Sequence, residues 1–187
     1  MGLNPRSWMM ALITAGAMTL AIPSMRGQTP VPERNVKAAF LFNFVKFVTW
    51  PADSSRGVDD PLTLCVVGND PIGDELQRLL SAANTNTRPL KLERVEESQA
   101  FRRCNVIFFG NDQARQRELL SAIAGLPILT VGEALQFGRW GGMISFVVEN
   151  DRVRFDINQD AAARAGLKIN SKLLALARSV TVARGER

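Results

Sequence analysis

The sequence has 187 residues, of which 46% are hydrophobic and 22% are charged, a composition that fits one globular domain and excludes a disordered chain. The formal net charge of +5 is not concentrated in any segment, so no nucleic-acid partner is predicted. Because histidine is absent, a Ser-His-Asp triad, a Cys-His pair and a His-built zinc site are all excluded. Tyrosine is absent as well. We therefore expect a protein without catalytic activity, metal or cofactor.

The first 27 residues have the order of a secretory signal peptide. Arg6 precedes Trp8–Ile22, an uncharged and mostly apolar run that ends at Pro23. The alternative is an uncleaved membrane anchor, but this run is shorter than the roughly 20 residues that span a bilayer. The pattern therefore predicts export and removal of residues 1–27.

Cys65 and Cys104 are the only two cysteines. In an exported protein an even pair is usually joined, and the absence of a CxxC spacing indicates a structural rather than a redox-active bridge. The alternative is two independent buried thiols, since both residues flank apolar, strand-like segments.

A long apolar helix is predicted from Glu33 to Val48, and Trp50-Pro51 ends it. Apolar side chains cover most of its circumference, which is usual for a helix buried on several sides. In the alternative interpretation, part of its aromatic surface, Phe42 and Trp50, contacts a partner or a second subunit.

Strands and helices alternate along the middle of the sequence, which predicts βαβ units and a mainly parallel sheet. The predicted strands are Leu62–Val67, a run around Leu90 and Leu92, Val106–Phe109, and Ile128–Val131. The first predicted helix begins at Asp70-Pro71 and ends near Ser81. A short helix is predicted at Glu96–Arg103, a longer one at Asp112–Ala124, and one or two helical turns at Glu133–Phe137.

The C-terminal part follows a different pattern. Met143–Glu149 and Arg152–Asn158 are β-rich and are joined by Asn150-Asp151, which favours a tight hairpin. Two helices are expected after it: Gln159–Ala165, capped by Asn158 and ended by Gly166, and a last helix capped by Ser171 with an apolar stripe that reaches Val180.

The predicted fold class is therefore α/β: a single compact domain with a mostly parallel sheet, flanked by helices, and a C-terminal antiparallel hairpin. Residues 28–35 are expected to form a lead-in and 36–181 the domain. The tail, 182–187, is expected to fray.

Three segments were considered as binding sites. Gly68–Gly73 follows a strand and opens a helix, but it lacks the glycine pattern of a phosphate loop, so a capped turn is favoured. Arg139 and Trp140, beside paired glycines, are residue types that anchor binding surfaces; alternatively their loop only redirects the chain and Trp140 covers the core. Arg154 shares a strand face with Asp156 and either lies on a solvated or cross-strand-paired face or reaches a carboxylate of a partner.

Several stretches of the sequence resemble the YfiR family. They are VKAAFLFNFVKFVTWP (36–51), LCVVGNDP (64–71), GGMISF (141–146), RFDIN (154–158) and INSKLL (169–174). The helix that ends in Trp-Pro and the Gly-Gly-Met hairpin are specific in combination. Together these stretches cover nearly all of the chain after the predicted signal peptide.

The resemblance implies a periplasmic protein, often a homodimer, that represses an inner-membrane diguanylate cyclase by binding the cyclase's periplasmic domain. It also implies an outer-membrane lipoprotein that relieves repression by sequestering the repressor. Cys65 and Cys104 match the positions of the family's disulfide. A second cysteine pair found in some members is absent here.

Two hypotheses follow. In the first, the protein is a regulatory binding module whose partner-binding residues are Phe42, Trp50, Arg139, Trp140 and Arg154. In the second, it binds a small ligand in the crevice at the strand ends of an open α/β sheet, without a cyclase partner. The missing histidine argues against a third class, a hydrolase that uses Asp or Ser.

Overall fold

The computed structural model describes residues 31–52, 60–83, 88–96, 98–110 and 112–182, all within one compact unit that begins at Val31. The predicted signal peptide, the first three residues of the lead-in and residues 183–187 of the tail lie outside the described residues.

Helices and strands alternate through most of the described chain. The helices are α1 (Glu33–Phe44), α2 (Ile72–Ala82), α3 (Gln113–Ala122), α4 (Gln159–Arg164) and α5 (Ser171–Leu176), with 3-10 segments at Val45–Phe47 and Ser98–Arg103. The strands are β1 (Val48–Thr49), β2 (Leu62–Val67), β3 (Leu90–Val95), β4 (Val106–Phe109), β5 (Leu129–Gly132), β6 (Ile144–Glu149), β7 (Arg152–Asn158), β8 (Lys168–Ile169) and β9 (Ser179–Thr181).

Within the described ranges the main sheet has the strand order β3-β2-β4-β5-β6-β7-β9. Strands β2 to β6 run parallel, β7 returns antiparallel to β6, and β9 pairs with β7 in parallel. A separate antiparallel pair joins β1 to β8. This arrangement confirms the predicted fold class.

The two faces of the sheet carry two separate cores. Successive strand residues point to opposite faces, so Leu64 and Val66 lie on one side and Cys65 on the other. The first side, here called the α1 face, packs against α1, α2 and α4. The second side, here called the disulfide face, packs against α3 and the 3-10 segment Ser98–Arg103.

Helix α1 contributes aromatic rings to the core of the α1 face. The ring centroid of Phe44 lies 5.1 Å from that of Phe155 and 5.9 Å from that of Phe146. These contacts join the helix to both strands of the hairpin, so the interpretation of α1 as a core helix is correct for this side of it.

Helix α1 is shorter than predicted, because the chain leaves helical geometry after Phe47 to form β1. Val48 pairs with Ile169, and the N–H of Asn170 donates to the carbonyl of Phe47 at 2.8 Å. The partner strand lies more than a hundred residues away in sequence, so local periodicity does not reveal this ending. At the other end, α1 begins at Glu33, as predicted.

The predicted hairpin is present. Asn150 and Asp151 have φ values of 50° and 57°, as a tight turn with two left-handed residues requires. The capped turn before α2 is also as predicted, since Asp70 Oδ1 accepts from the N–H of Ile72 at 2.8 Å.

Three predictions for the later part of the chain are wrong. The segment Glu133–Phe137 forms turns instead of a helix. The last helix ends at Leu176, and Val180 lies in β9, which extends the sheet from the edge of β7. The cap of α5 is Asn170 rather than Ser171, because Asn170 Oδ1 accepts from the N–H of Lys172 at 2.9 Å. Asn158 caps α4 as expected, accepting from the N–H of Ala161 at 3.0 Å.

Candidate partner-binding site

Phe42 and Trp50 meet at one surface groove. Phe42 is a partly buried residue of α1, and β1 places Trp50, which is also partly buried, directly after the strand. The groove has a volume of about 420 Å³ and is called here the Phe42–Trp50 groove. Its walls include Val45, Lys46, Val48, Thr49, Leu62 and Leu90.

The groove is apolar but has two polar features. The Nε1 atom of Trp50 is buried and has no acceptor among the described residues, although a buried indole N–H usually has one. The ammonium group of Lys46 lies 4.9 Å from the ring centroid of Phe42, within the range of a cation–π interaction. The groove thus offers apolar contact area and, from Lys46 and Arg88, positive charge.

Trp140 lies on the opposite side of the sheet from this groove, and Arg139 beside it does not line the groove. Trp140 is partly buried against the core of the disulfide face, which agrees with the interpretation of Trp140 as a core cover. Phe137 is fully buried beneath this loop, and its ring occupies the space that a Cβ atom would need at Gly132 or Gly142. Gly142 therefore leaves room for the ring of Phe137, while Gly141 provides a backbone position with a positive φ of 95°.

Arg139 is exposed and lines a second groove of about 610 Å³ along β6, β7 and β9. Asp156 and Arg178 line the same groove, where Arg178 pairs with Asp156. Arg154 is exposed on β7 opposite Val147 and is not among the residues that line the groove. The structure thus gathers the five predicted partner-binding residues at three separate places.

Burial disfavours the charged form of Asp156, but the hydrogen bonds and charge of Arg178, with a contribution from Ser179, outweigh that effect and lower the pKa of Asp156. Arg178 was not predicted to be important, because it follows α5 and reaches β7 only through the tertiary fold.

A buried cation near the start of α1 was also missed. Lys37 is 6% exposed and forms ion pairs with Glu33 and with Glu133, the latter at 2.9 Å. Burial lowers the pKa of Lys37, but the two carboxylates outweigh this effect, so the pKa is raised above its usual value. The Glu33–Lys37 spacing of four residues was the available signal; Glu133 comes from a distant loop.

Cys65 and Cys104 form the predicted disulfide, with their Cα atoms 5.8 Å apart. The bond joins β2 to the residue that follows the 3-10 segment Ser98–Arg103, and both cysteines are buried in the core of the disulfide face. It therefore fixes this segment against the sheet.

The carboxyl ends of β2 and β4 border a small crevice of about 260 Å³. The chain leaves these two neighbouring strands in opposite directions, which is where open α/β sheets bind ligands. Gln116 is 3% exposed and lines the crevice. Its Nε2 donates to the carbonyl of Gly110, while its Oε1 accepts no hydrogen bond within the described part of the chain.

Neither a metal site nor a membrane-spanning helix is found within the described ranges. No three acidic or cysteine side chains there converge on a point that would hold a metal ion. Every helix there is too short or too polar to cross a bilayer.

Solved structures share the fold at low sequence identity. A conserved domain protein from Vibrio cholerae O1 biovar El Tor is similar, with a TM-score of 0.54 and 16% identity, over 81% of this chain and 61% of that one. The ABC domain from Streptococcus pneumonia, solved in complex with L-Trp, has a TM-score of 0.53 and 10% identity, over 79% of this chain and 60% of that one. The chain thus spans about three fifths of each of these proteins.

The family comparison is more specific. The model of a family described as YfiR/HmsC-like matches residues 34–178 of the 187. This range includes α1, the whole hairpin and both cysteines. The match supports a role in regulating cyclic diguanylate signalling, and the chain belongs to the YfiR/HmsC-like family.

Proposed function

We propose that this protein is a non-catalytic periplasmic regulator that represses a membrane-bound diguanylate cyclase by binding the cyclase's periplasmic domain. The carrying observation is the family match over residues 34–178. The signal-peptide pattern in residues 1–27 supports export. A disulfide is typical of an oxidising compartment, which also favours the periplasm.

The proposed docking surface is the Phe42–Trp50 groove. Aromatic side chains anchor protein interfaces because they bury a large area with little loss of conformational freedom. An acidic side chain of the cyclase would pair with Lys46 at the exposed rim.

Repression requires that the regulator bind one conformation of the cyclase more tightly than the other. To move a two-state receptor from mostly active to mostly inactive, this difference must be several kcal/mol. A lipoprotein in the outer membrane would relieve repression by competing for the same regulator. We further propose that the protein acts as a homodimer, as its family resemblance implies.

The test is deletion of the gene, followed by measurement of cyclic diguanylate and surface attachment. Both are expected to rise and to return to the starting level when the wild-type gene is restored. Complementation with Phe42→Asp is expected to fail, because the substitution removes the aromatic ring from the contact and places a charge in the apolar wall of the groove.

Leu176→Asp is the matched control, since Leu176 is 62% exposed and does not line the groove. Restoration by Leu176→Asp but not by Phe42→Asp, with equal amounts of both folded proteins, supports the docking surface. Unchanged cyclic diguanylate and attachment in the deletion strain contradict repression itself.

A second candidate function is small-ligand binding at the strand-end crevice. The observation that favours it is Gln116 Oε1, a buried acceptor that a ligand N–H or O–H would satisfy. Thermal melting with a panel of amino acids, nucleosides and sugars tests this. A ligand whose stabilisation is lost in Gln116→Met favours this function, and no stabilisation by any compound counts against it.

A further inference from the structure

A basic cavity lies at the amino-terminal ends of the parallel strands, on the disulfide face. It has a volume of about 370 Å³ and is lined by Arg88, Lys91, Arg102 and Arg103. Thr63 and Asn105, next to the disulfide, add neutral polar groups. The strand-end crevice lies at the opposite ends of the parallel strands. The Phe42–Trp50 groove is on the α1 face and has Arg88 in common with this cavity.

The positive charge of this cavity is only partly balanced. Asp60 is the one acidic residue among its lining residues, and Arg103 pairs with Glu93 at 2.5 Å. Lys91 and Arg102, in contrast, form no ion pair with any residue that the structure describes. Two cations without a counter-ion therefore face the same cavity.

The backbone that carries these cations is held in place. Arg102 and Arg103 end the 3-10 segment, which is anchored by the fully buried ring of Phe101 and by the disulfide at Cys104. Asn105 fixes the cavity floor, since its Oδ1 accepts from the N–H of Thr63 at 2.9 Å and its own N–H donates to the carbonyl of Thr63 at 2.8 Å. Such fixed backbones lower the cost of ordering side chains around a ligand.

Protection of the sheet edge accounts for part of this charge but not for all of it. Strand β3 is an edge strand, and lysine on an edge strand discourages pairing with other chains. That role explains Lys91. It does not explain Arg102 and Arg103, which come from a separate segment and line the same cavity.

We propose that this cavity binds a compact anion with two or more phosphate or carboxylate groups. Its volume is within the range of small-molecule sites, about 300–1,000 Å³. Arginine and lysine are the side chains that bind such groups, arginine through paired N–H donors. The proposal does not depend on the cyclase as partner, and it concerns a different cavity from the crevice at Gln116.

Isothermal titration calorimetry of the disulfide-bonded protein at low salt tests the proposal. Pyrophosphate and citrate are the two probes, so that phosphate and carboxylate chemistry are distinguished. At least one of them is expected to bind with one-to-one stoichiometry, and the Kd is expected to rise with added sodium chloride, which screens the charges.

The double variant Lys91→Ala/Arg102→Ala is expected to raise the Kd at least tenfold. Arg117→Ala/Lys172→Ala is its matched control, because it removes the same two charges from exposed positions outside the cavity. All four side chains are exposed, so both proteins should melt close to the wild type. No saturable binding of either probe, or an equal loss of affinity in both double variants, would overturn the proposal.

Discussion

Arg178 and Asp156 are joined by two parallel hydrogen bonds, from Nε to Oδ1 at 2.9 Å and from Nη2 to Oδ2 at 2.6 Å. This bidentate geometry is the strongest that an arginine forms with a carboxylate. It connects the segment after α5 to the middle of β7, two residues before Asn158 caps α4. The pair therefore helps to hold β9 against the edge of the hairpin.

Asp156→Asn is expected to lower the free energy of unfolding at pH 7. The pKa of Asp156 is lowered in the folded protein, so the carboxylate contributes stability above the ordinary aspartate pKa of about 3.9. That contribution is lost as the pH falls through the lower, folded value. Urea unfolding of both proteins should therefore give a difference that is full at neutral pH and shrinks below about pH 4.

Asp151→Asn is the control for this prediction. Asp151 is exposed in the hairpin turn, where asparagine also adopts a positive φ. The stability difference between the wild type and Asp156→Asn could instead stay constant from pH 7 to about pH 2.5. That result would contradict the role of the carboxylate charge.

Lys37→Met is expected to lower the free energy of unfolding by about 3 kcal/mol, which is in the lower range for breaking a buried ion pair. The reason is that Glu133 stays mostly buried without its cation. Adding Glu133→Gln to Lys37→Met should recover part of this loss. Equilibrium unfolding of the two variants at pH 7 measures both effects, and a double variant less stable than Lys37→Met would refute the explanation.

The raised pKa of Lys37 predicts the opposite pH dependence from Asp156. Its contribution to stability is complete below the unfolded lysine pKa of about 10.4 and is lost as the pH rises through the folded value. The free energy of unfolding of the wild-type protein should therefore exceed that of Lys37→Met until the buffer is strongly alkaline.

Replacing both Cys65 and Cys104 by alanine should lower the free energy of unfolding by about 4 kcal/mol. The estimate is the entropy that closing a loop of this length removes from the unfolded chain; the sequence separation is 39. Urea unfolding of the double variant measures it. Thiol titration of the oxidised wild-type protein should find no reactive cysteine, and two free thiols would contradict the bridge.

Gly142→Ala is expected to destabilise the protein by about 1–3 kcal/mol, the usual cost of overpacking a core. A Cβ atom at Gly142 meets the buried ring of Phe137, while the N–H of Gly142 is held by the Phe137 carbonyl at 2.9 Å.

Gly138→Ala is the matched control, because the nearest atom to its Cβ would be Ser145 Oγ at an ordinary 3.6 Å. Thermal melting should therefore separate the two alanine variants. Equal melting temperatures would show that Phe137 does not require the glycine.

The local sequence was sufficient where a segment's structure depends on its own residues. Strands β2 and β4 were predicted to the residue, since short apolar runs bounded by turn residues are typical of buried parallel strands. The hairpin turn and the caps Asp70 and Asn158 were predicted for the same reason, because each cap bonds to a backbone N–H within three residues.

The tertiary structure decided what depends on distant partners. Leu176 and Val180 have helical spacing, but the chain after α5 is extended because the edge of β7 offers unpaired backbone groups. Likewise α1 ends early because β8 pairs with β1, and Lys37 is buried because Glu133 reaches it from the loop after β5.

The candidate sites divide in the same way. Residue type alone selected Phe42, Trp50 and Arg139, but only the packing of α1 and β1 around the sheet placed Phe42 and Trp50 in one groove and Arg139 in another. The sequence by itself determined most of the elements and indicated the family and the disulfide, whereas β1, β8 and β9 were found only in the structure. Only the folded chain decided which side chains meet, because these contacts join segments far apart along the backbone.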